Sequence, residues 1–348
     1  MKKPLFIARG VIHISGKPRN KLTLDDIAKE LGLSKASVSR VISGKGRISD
    51  QTRARVMEHI KKRGYQPNLI ARSLAQQKTM NIAVVLPADG SIVEMPFFQN
   101  LLIGICNIAS KSNYDVIVLT QEENDISQID RVVRHKKVDG VILTRSMARN
   151  IDAEFLEENE VPFVMIGSAT DKTIQIDHDH VSACRDLTSS VLSGYDRDAL
   201  RGRVALIGGE MQYIVNQSRH TGFLEGIRLV GLSEEDYTFF RMDSKEMIRD
   251  AIREIIKREQ KVIFCFDDLI CENALLELGR HGIRVPGDIE VASYYCSYII
   301  EKHYPRIAAI KFDAKMLGET AFNILDGMLS GQEVPQKTLL EYKLVNTR

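Results

Sequence analysis

The sequence predicts a small all-α head joined to an α/β core of two doubly wound parallel-sheet lobes. Two short amphipathic helical patterns, separated by a glycine and followed by the start of a third helix, fall within residues 23–52. From residue 81 onward, short apolar runs alternate with amphipathic helical patterns, which is typical of parallel sheets covered by helices on both faces. The length of 348 residues also favours two or three domains over one.

The pattern at residues 23–52 predicts a helix-turn-helix followed by the start of a third helix. Thr23 and Asp26 have the spacing of an acidic capping box at the start of a first helix. Gly32 supplies a turn that a side chain would obstruct, and Ser34 can cap the second helix. Each helix then has one apolar face for packing, formed by Ile27, Ala28, Leu31, Val38 and Val41.

The outward positions of the second helix and the charge distribution both indicate DNA as a partner. The outward residues are short or basic, as a major groove requires; they are Lys35, Ala36, Ser37, Ser39 and Arg40. Residues 1–80 carry a net charge of +13, whereas the remainder carries −11. A plain helical hairpin is the alternative for the two helices, but Ala28 and Gly32 lie four residues apart, as a close helix crossing requires. A solvated basic face is the alternative for the charge, but it would not explain why the charge coincides with the helix-turn-helix.

A longer block identifies a family. After a third helix at residues 50–63 comes YQPNLIARSLAQQKTMNIAVVLP, residues 65–87. Residues 22–87 closely resemble the LacI/GalR family of bacterial transcription regulators, and the resemblance continues to the end of the chain. It implies a homodimeric, ligand-responsive repressor that binds a pseudo-palindromic operator in double-stranded DNA. It also implies a core like that of periplasmic sugar-binding proteins.

The resemblance assigns DNA contacts within the head. Arg40 occupies the position of the recognition arginine, whose guanidinium can bind guanine O6 and N7 and contribute about 1–3 kcal/mol of discrimination. Lys35 and Ala36 occupy two positions that vary between members and tune operator choice. Lys35 has two possible partners, a guanine or a phosphate. Contacts that set the register on the DNA backbone are expected from Thr23, Ser34, Ser37, Ser39 and Arg47.

Residues 68–76 correspond to a hinge helix. A helix this short is unstable alone, since nucleation is costly below about 12 residues, so we expect it to order on DNA beside its dimer mate. By resemblance, Leu74 enters the minor groove and kinks the duplex, whereas packing of Leu74 on the partner helix is the alternative. Asn68 and Ala71 are the other expected DNA contacts of this segment.

Four segments follow from these patterns. Residues 1–20 form a basic extension, either a flexible arm or an overlong start. Residues 21–67 form the DNA-binding domain, and residues 68–78 form the hinge helix and linker. Residues 79–348 form the two-lobed effector and dimerisation domain.

Eight apolar runs predict the strands of the core, four in each lobe. They are residues 82–87, 115–120, 140–144 and 163–167, followed by 203–209, 237–240, 261–266 and 289–293. In such sheets, ligands bind at the carboxyl ends of the strands, which here places the site in the cleft between the lobes. A late helix near residues 318–329 is expected to cross back between the lobes.

The resemblance also places effector-binding residues. A sugar site needs bidentate donors, carboxylates and flat apolar faces. Arg219 lies where the family has its ligand-clamping arginine, and Asp268 matches its ligand-binding aspartate, with Asp267 as the cap of the following helix. Phe97 and Phe98 match aromatic residues that line the family pocket, with ordinary core packing as the alternative.

Two departures from the family pattern bear on the effector. Ser293, Tyr294, Tyr295 and Cys296 replace a glycine–aromatic–Asp–Asp turn, so two carboxylates are lost. We predict Tyr294 as an effector contact, and the identity of the effector stays open. Residues 177–180, Asp-His-Asp-His, resemble a metal cluster, but along a strand only alternate side chains converge. We therefore expect a loop or lobe crossover there, and neither a metal nor a cofactor.

The sequence allows two rival functions. A sugar-modifying enzyme with a DNA-binding head is disfavoured because residues 203–210, RVALIGGE, form neither a P-loop nor GxGxxG, and no GxSxG elbow occurs. We predict no catalytic residues and no enzymatic activity. A regulator controlled by a protein corepressor or a phosphorylated metabolite stays open, since Arg219 would suit an anion equally well.

Composition predicts a cytoplasmic location. No apolar run reaches the roughly 18 residues that a membrane helix needs, and residues 1–20 lack a signal-peptide core and cleavage site. The five cysteines show no metal-binding spacing, which favours reduced thiols. No heptad run follows Leu329, which disfavours a coiled-coil tetramer.

Overall fold

The computed structural model describes residues 22–43, 47–65, 78–88, 96–122, 125–168, 172–242 and 247–347. The chain divides into two compact units, Met1–Lys78 and Thr79–Arg348. The predicted extension at residues 1–20 and the hinge contacts Asn68, Ala71 and Leu74 lie outside the described residues.

The first unit contains the predicted helix-turn-helix and a third helix. The helices are α1 (Leu24–Leu31), α2 (Lys35–Ser43) and α3 (Asp50–Arg63). Helix α1 begins at the predicted capping box, in which Thr23 Oγ1 accepts from the Asp26 N–H at 3.2 Å and the Asp26 carboxylate accepts from the Thr23 N–H at 2.9 Å. It ends at Gly32, whose φ of 63° lies in the left-handed region that favours glycine.

The three helices enclose a small apolar core. Its buried members are Ile27, Ala28, Leu31, Val38, Val41, Val56 and Tyr65. The five positions that the sequence assigned to the helix–helix contact are all among them. Burying this stripe leaves the opposite face of α2 in solvent.

The second unit begins with a six-stranded parallel sheet, which forms the first lobe. The strand order is β11–β5–β4–β3–β1–β2. The strands are β1 (Asn81–Pro87), β2 (Asp115–Gln121), β3 (Gly140–Leu143), β4 (Phe163–Ile166), β5 (Gln175–His178) and β11 (Lys337–Leu340). The lobe includes helices α4 (Pro96–Lys111), α5 (Ser127–Arg134), α6 (Ile151–Glu158) and α13 (Ala314–Leu329).

A second six-stranded sheet forms the other lobe, in the order β12–β10–β9–β8–β6–β7. Its strands are β6 (Val204–Gly208), β7 (Tyr237–Arg241), β8 (Val262–Cys265), β9 (Glu290–Ser293), β10 (Ala308–Lys311) and β12 (Lys343–Val345). Only the edge strand β12 is antiparallel to its neighbour. The helices are α7 (His180–Leu192), α8 (Arg197–Leu200), α9 (Ile214–Leu229), α10 (Met247–Lys257), α11 (Asp268–Arg280) and α12 (Tyr298–Glu301), with a 3-10 turn at Glu234–Asp236.

The predicted fold class is confirmed, and the eight predicted strands are present, each within one residue at either end. Four further strands, β5, β10, β11 and β12, have no counterpart among the eight apolar runs. All four adjoin places where the described chain passes between the lobes: from β5 to α7, from β10 to α13, and from β11 to β12. The predicted late helix is α13, which is longer than predicted. It follows the passage from β10 and packs against the first lobe.

Helices α4 and α13 pack backbone against backbone. A Cβ atom on Gly104 would lie 2.1 Å from the carbonyl oxygen of Lys315, and one on Gly318 would lie 2.2 Å from that of Leu101. No real Cβ tolerates such distances, so the two glycines permit the close approach of the helices.

Gly104→Ala should therefore lower the free energy of unfolding by about 1–3 kcal/mol, since the methyl group meets backbone that cannot rotate away. Gly279→Ala is the matched control, because no atom lies within 4 Å of its Cβ position in α11 and the change favours the helix. Urea denaturation of both variants measures the difference. Equal stability of the two variants would contradict the close contact.

Candidate functional site

The residues that the sequence assigns to DNA lie on the solvent side of the head. Most are exposed and Ser37 is partly buried; they are Thr23, Ser34, Lys35, Ala36, Ser37, Ser39, Arg40 and Arg47. Lys35 Nζ lies 2.8 Å from Asp25 Oδ2, with more than half of both side chains exposed. Because exposed ion pairs contribute only about 0–1 kcal/mol, Lys35 can exchange this partner at small cost.

Two of these side chains also stabilise the head. Ser34 Oγ accepts from the Ser37 N–H at 3.1 Å, which caps the start of α2, and the Ser34 and Ser37 hydroxyls lie 2.9 Å apart. Thr23 caps α1, as described above. Their structural role is therefore visible in the head itself, and their contacts to DNA stay predictions.

A cavity of about 390 Å³ lies within the second unit, between its two lobes. It is lined by residues that follow the carboxyl ends of strands in both sheets, as the fold class predicts. The first lobe contributes Phe97, Phe98, Thr144, Arg145, Ser146, Ile166, Gly167 and Asp177. The second contributes, among others, His180, Glu210, Tyr213, Asn216, Arg219, Asp267, Asn273, Tyr295 and Phe312.

Phe97 and Phe98 both line the cavity, and both also pack against the lobe cores. Phe98 is buried in the first-lobe core, and Phe97 packs against the cores of both lobes. Their rings meet edge to face, with centroids 5.3 Å apart, and Phe97 meets Tyr295 in the same way at 5.9 Å. These flat faces are therefore held in place by packing before any ligand binds.

Arg219 is the most deeply buried cation of the cavity wall. Only 6% of the residue is exposed, and Nη1 donates to Asn216 Oδ1 at 3.4 Å. Its Nε is buried and has no hydrogen-bond partner among the residues that the structure describes. A buried guanidinium with an unused donor gains free energy from any ligand oxygen that reaches it.

Of the two adjacent acids at the start of α11, Asp267 lines the cavity, whereas Asp268, named from the sequence, does not. The Asp267 side chain accepts from the Ile270 N–H at 2.8 Å and caps α11, as the sequence suggested. Burial raises the pKa of Asp267, and the positive charge of Arg219 opposes that rise.

Asp268 lies one position further, inside the first turn of α11, and is fully buried. Its Oδ1 accepts from the Leu269 N–H at 3.1 Å, and its Oδ2 has no partner in the described part of the chain. Burial raises the pKa of Asp268 to about 6, despite the opposing effect of the Ser297 side chain.

At the predicted contact Tyr294, it is again the neighbouring residue that lines the cavity. Tyr294 is fully buried in the second-lobe core, its hydroxyl lies 2.5 Å from Thr188 Oγ1, and its ring stacks on Phe264. The neighbouring Tyr295 lines the cavity and stacks on Phe312 at 6.4 Å. The sequence prediction placed the correct turn at the cavity but chose the side chain that faces the sheet core.

Arg145 was missed by sequence reasoning. Its guanidinium lies 4.7 Å from the ring centroid of Tyr213 and 5.6 Å from that of Phe98. It follows β3 by two residues, so its place after the carboxyl end of a parallel strand was the signal that could have identified it.

Asp177, His178 and His180 come together, contrary to the expectation that only alternate residues converge. Strand β5 ends at His178, and Asp179 caps α7 by accepting from the Ser182 N–H at 3.0 Å, so the chain turns between them. His180 Nε2 then lies 3.2 Å from Asp177 Oδ1. Burial alone would raise the pKa of Asp177, but the two histidines and hydrogen bonds lower it overall. Burial and His180 lower the pKa of His178 to about 4.

The raised pKa of Asp268 makes the free energy of unfolding depend on pH. Because its pKa rises from 3.8 unfolded to about 6 folded, the folded state holds the extra proton, and stability falls as pH rises from about 4 to 6. Asp268→Asn should remove this loss and raise the free energy of unfolding at pH 7, by at most about 3 kcal/mol. At pH 4 the gain should disappear.

Urea denaturation at both pH values measures this effect. Asp288→Asn is the contrasting control, because Arg284 holds the pKa of Asp288 down to about 2, so its carboxylate favours folding above pH 4. A gain for Asp268→Asn that is the same at pH 4 and pH 7 would show that the raised pKa is not its cause.

Comparisons with known proteins agree with this organisation. Residues 23–68 match the family described as bacterial regulatory proteins, lacI family, and residues 201–348 match the periplasmic binding protein-like domain. The HTH-type transcriptional regulator MalR of Streptococcus pneumoniae is 27% identical over 339 residues, covering 93% of this chain and 99% of that protein.

Two solved structures show the same fold. A complex of the transcriptional regulator CelR with cellobiose has a TM-score of 0.69 at 24% identity, covering 93% of this chain and 98% of that chain. A lac repressor dimer bound to operator and the anti-inducer ONPF has a TM-score of 0.74 at 22% identity, covering 94% and 98%. Within the described part of this chain, no helix is both long and apolar enough to span a membrane.

Proposed function

We propose that this chain, which belongs to the LacI family of bacterial regulatory proteins, is a DNA-binding transcriptional regulator whose operator affinity changes when a carbohydrate binds in the cavity. The observation that carries the proposal is the cavity itself. It combines prearranged aromatic faces with a buried guanidinium that has an unused donor, at the carboxyl ends of two parallel sheets.

The charges around the cavity favour a neutral polyhydroxyl ligand. The carboxylates of Asp177, Glu210 and Asp267 line it together with the guanidinium groups of Arg145 and Arg219. Acceptors and donors are therefore both available to hydroxyl groups, which have both hydrogen-bonding capacities. The aromatic rings of Phe97 and Tyr295 provide flat faces for the C–H surfaces of a sugar ring.

A phosphorylated metabolite is the second candidate. Two arginines line the cavity, and an anion would pair with them more strongly than a neutral sugar does. The three carboxylates of the lining oppose it, so we place it second. A protein corepressor would instead bind outside the cavity.

On the DNA side, the proposal assigns base contacts to Arg40 and Lys35 on the exposed face of α2, with Ala36 beside them. The family resemblance adds a homodimer, a pseudo-palindromic operator and minor-groove insertion of Leu74. The chain passes between the lobes beside the cavity, so a ligand that contacts both lobes favours one angle between them. Ligand and operator then influence each other reciprocally, by a coupling typically of about 1–3 kcal/mol.

Thermal unfolding of the full chain against a panel of sugars and phosphosugars tests the ligand. At 100 times its dissociation constant, a ligand of the folded state should add about 2.7 kcal/mol, a shift of a few degrees. Arg219→Ala should abolish the shift, because it removes the buried donor from the cavity.

Arg228→Ala is the matched control, since Arg228 lies on the same helix but pairs with Glu234 at the surface. A shift that survives Arg219→Ala and is lost in Arg228→Ala would contradict the assignment. Hits confined to phosphosugars would favour the second candidate.

Selection of random duplexes tests the DNA contact of Arg40. Arg40→Ala should relax the preference at one base pair of each half-site, worth about 1–3 kcal/mol, because a bidentate guanine contact is lost. Lys61→Ala, an exposed basic residue of α3, is the control and should leave the selected sequence unchanged. Uniform weakening of Arg40→Ala on all sequences would mean that Arg40 contacts only phosphate.

A further inference from the structure

The side chains of Asp177, His178 and His180 form a compact cluster where the chain leaves the first lobe. One ligand atom from each residue lies within 4.8 Å of the other two. No more than 8% of any of the three residues is exposed. Asp177 and His178 end β5 of the first lobe, whereas His180 begins α7 of the second. The cluster therefore joins the two lobes at one of their crossings.

Hydrogen bonding does not account for this cluster. His180 Nε2 and Asp177 Oδ1 form a pair at 3.2 Å, but both ring nitrogens of His178 and Nδ1 of His180 are buried without a partner among the described residues. Phe312 covers both rings, with centroids 4.7 Å from His178 and 4.6 Å from His180. A neutral imidazole carries one N–H and one lone pair, so burying both unpaired is costly unless something else binds there.

We propose that Asp177, His178 and His180 bind a divalent transition-metal ion, with zinc as the preferred occupant. Two imidazoles and one carboxylate are a ligand set that zinc takes readily, whereas calcium and magnesium prefer oxygen ligands alone. The 3.2 Å between His180 and Asp177 is already close to the edge of a zinc tetrahedron, about 3.3 Å for bonds of about 2.0–2.1 Å. The ligand atom of His178 lies within 4.8 Å of the other two, so metal binding requires this side chain to move closer to them.

The surrounding charges suit a cation. Asp313, which caps α13 by accepting from the Met316 N–H at 2.9 Å, lies close enough to act on His178 electrostatically. Asp179, the fourth polar residue of the motif, is engaged as the cap of α7 and is not needed as a ligand. The neighbourhood of the cluster therefore carries negative charge from Asp177 and Asp313.

Three protein ligands leave a tetrahedral ion one further position. Asp177 and His180 line the cavity, and we assign this position to an oxygen atom of a cavity ligand. This last step rests on the proposed function, since it assigns the ion a contact with the effector. The metal site itself does not depend on it.

Metal binding is measured on the full chain after dialysis against EDTA, without sugar or DNA. Calorimetric titration with zinc chloride should give one ion per chain. Cobalt(II) should produce visible d–d bands without the thiolate charge-transfer band that cysteine ligands cause. Asp177→Asn and His178→Leu should each weaken zinc affinity about 100-fold or more, since even residues behind the ligands typically cost about 10–100-fold.

His178→Leu also separates metal loss from unfolding. It replaces a buried imidazole that lacks partners with an apolar side chain of similar length. Without metal, the Tm of the variant should therefore equal or exceed that of the wild type. Added zinc should raise the Tm of the wild type but not that of His178→Leu.

His135→Ala and Cys106→Ser are the controls, because both residues are exposed and lie outside the cluster. Both should bind zinc like the wild type. Absence of zinc and cobalt binding in the wild type, unchanged affinity in His178→Leu, or a thiolate band that disappears in Cys106→Ser would overturn the proposal. Zinc binding without any sugar-induced shift would leave the metal site standing and contradict the sugar effector.

Discussion

The three passages of the chain between the lobes are the constraint on which the rest of the core depends. Each follows the carboxyl end of a parallel strand, namely β5, β10 or β11. Carboxyl ends of parallel strands are also where such sheets bind ligands, so the connections and the cavity share one edge. Asp177 and His180 flank the first passage, Phe312 lies in the second, and all three line the cavity. Under the proposed function, a ligand that contacts them favours one lobe angle over others, which is the differential contact that any population shift requires.

The cavity wall keeps polar groups in an energetically unfavourable state. Arg219 retains an unused buried donor, and burial raises the pKa of Asp267. The rings of Phe97 and Tyr295, which meet edge to face, line the same cavity. The free energy that a ligand gains comes from pairing groups that the protein leaves unpaired, so the wall is prearranged for recognition at some expense of stability.

The sequence could predict the fold class because apolar strand periodicity and the family resemblance point to the same architecture. It could not predict which side chain of a turn faces the cavity. At the start of α11, the Asp267 carboxylate faces the cavity and the Asp268 carboxylate is buried in the core. After the end of β9, Tyr294 is buried in the core and Tyr295 faces the cavity. Likewise, Asp177, His178 and His180 converge only because β5 ends at His178, and no local pattern marks that end.

In the proposed function, the head supplies affinity for DNA, and ligand binding to the core controls that affinity. The net charge of +13 on residues 1–80 gives the head a general attraction to phosphate, which is strong but independent of sequence. Under the proposed function, selectivity comes from the exposed side chains of α2, where Lys35 forms a weak surface pair with Asp25. Because this general attraction does not change with the ligand, control needs only a modest coupling. About 1–3 kcal/mol between cavity and operator changes affinity about 5–150-fold, enough to move a regulator between bound and released states at a fixed concentration.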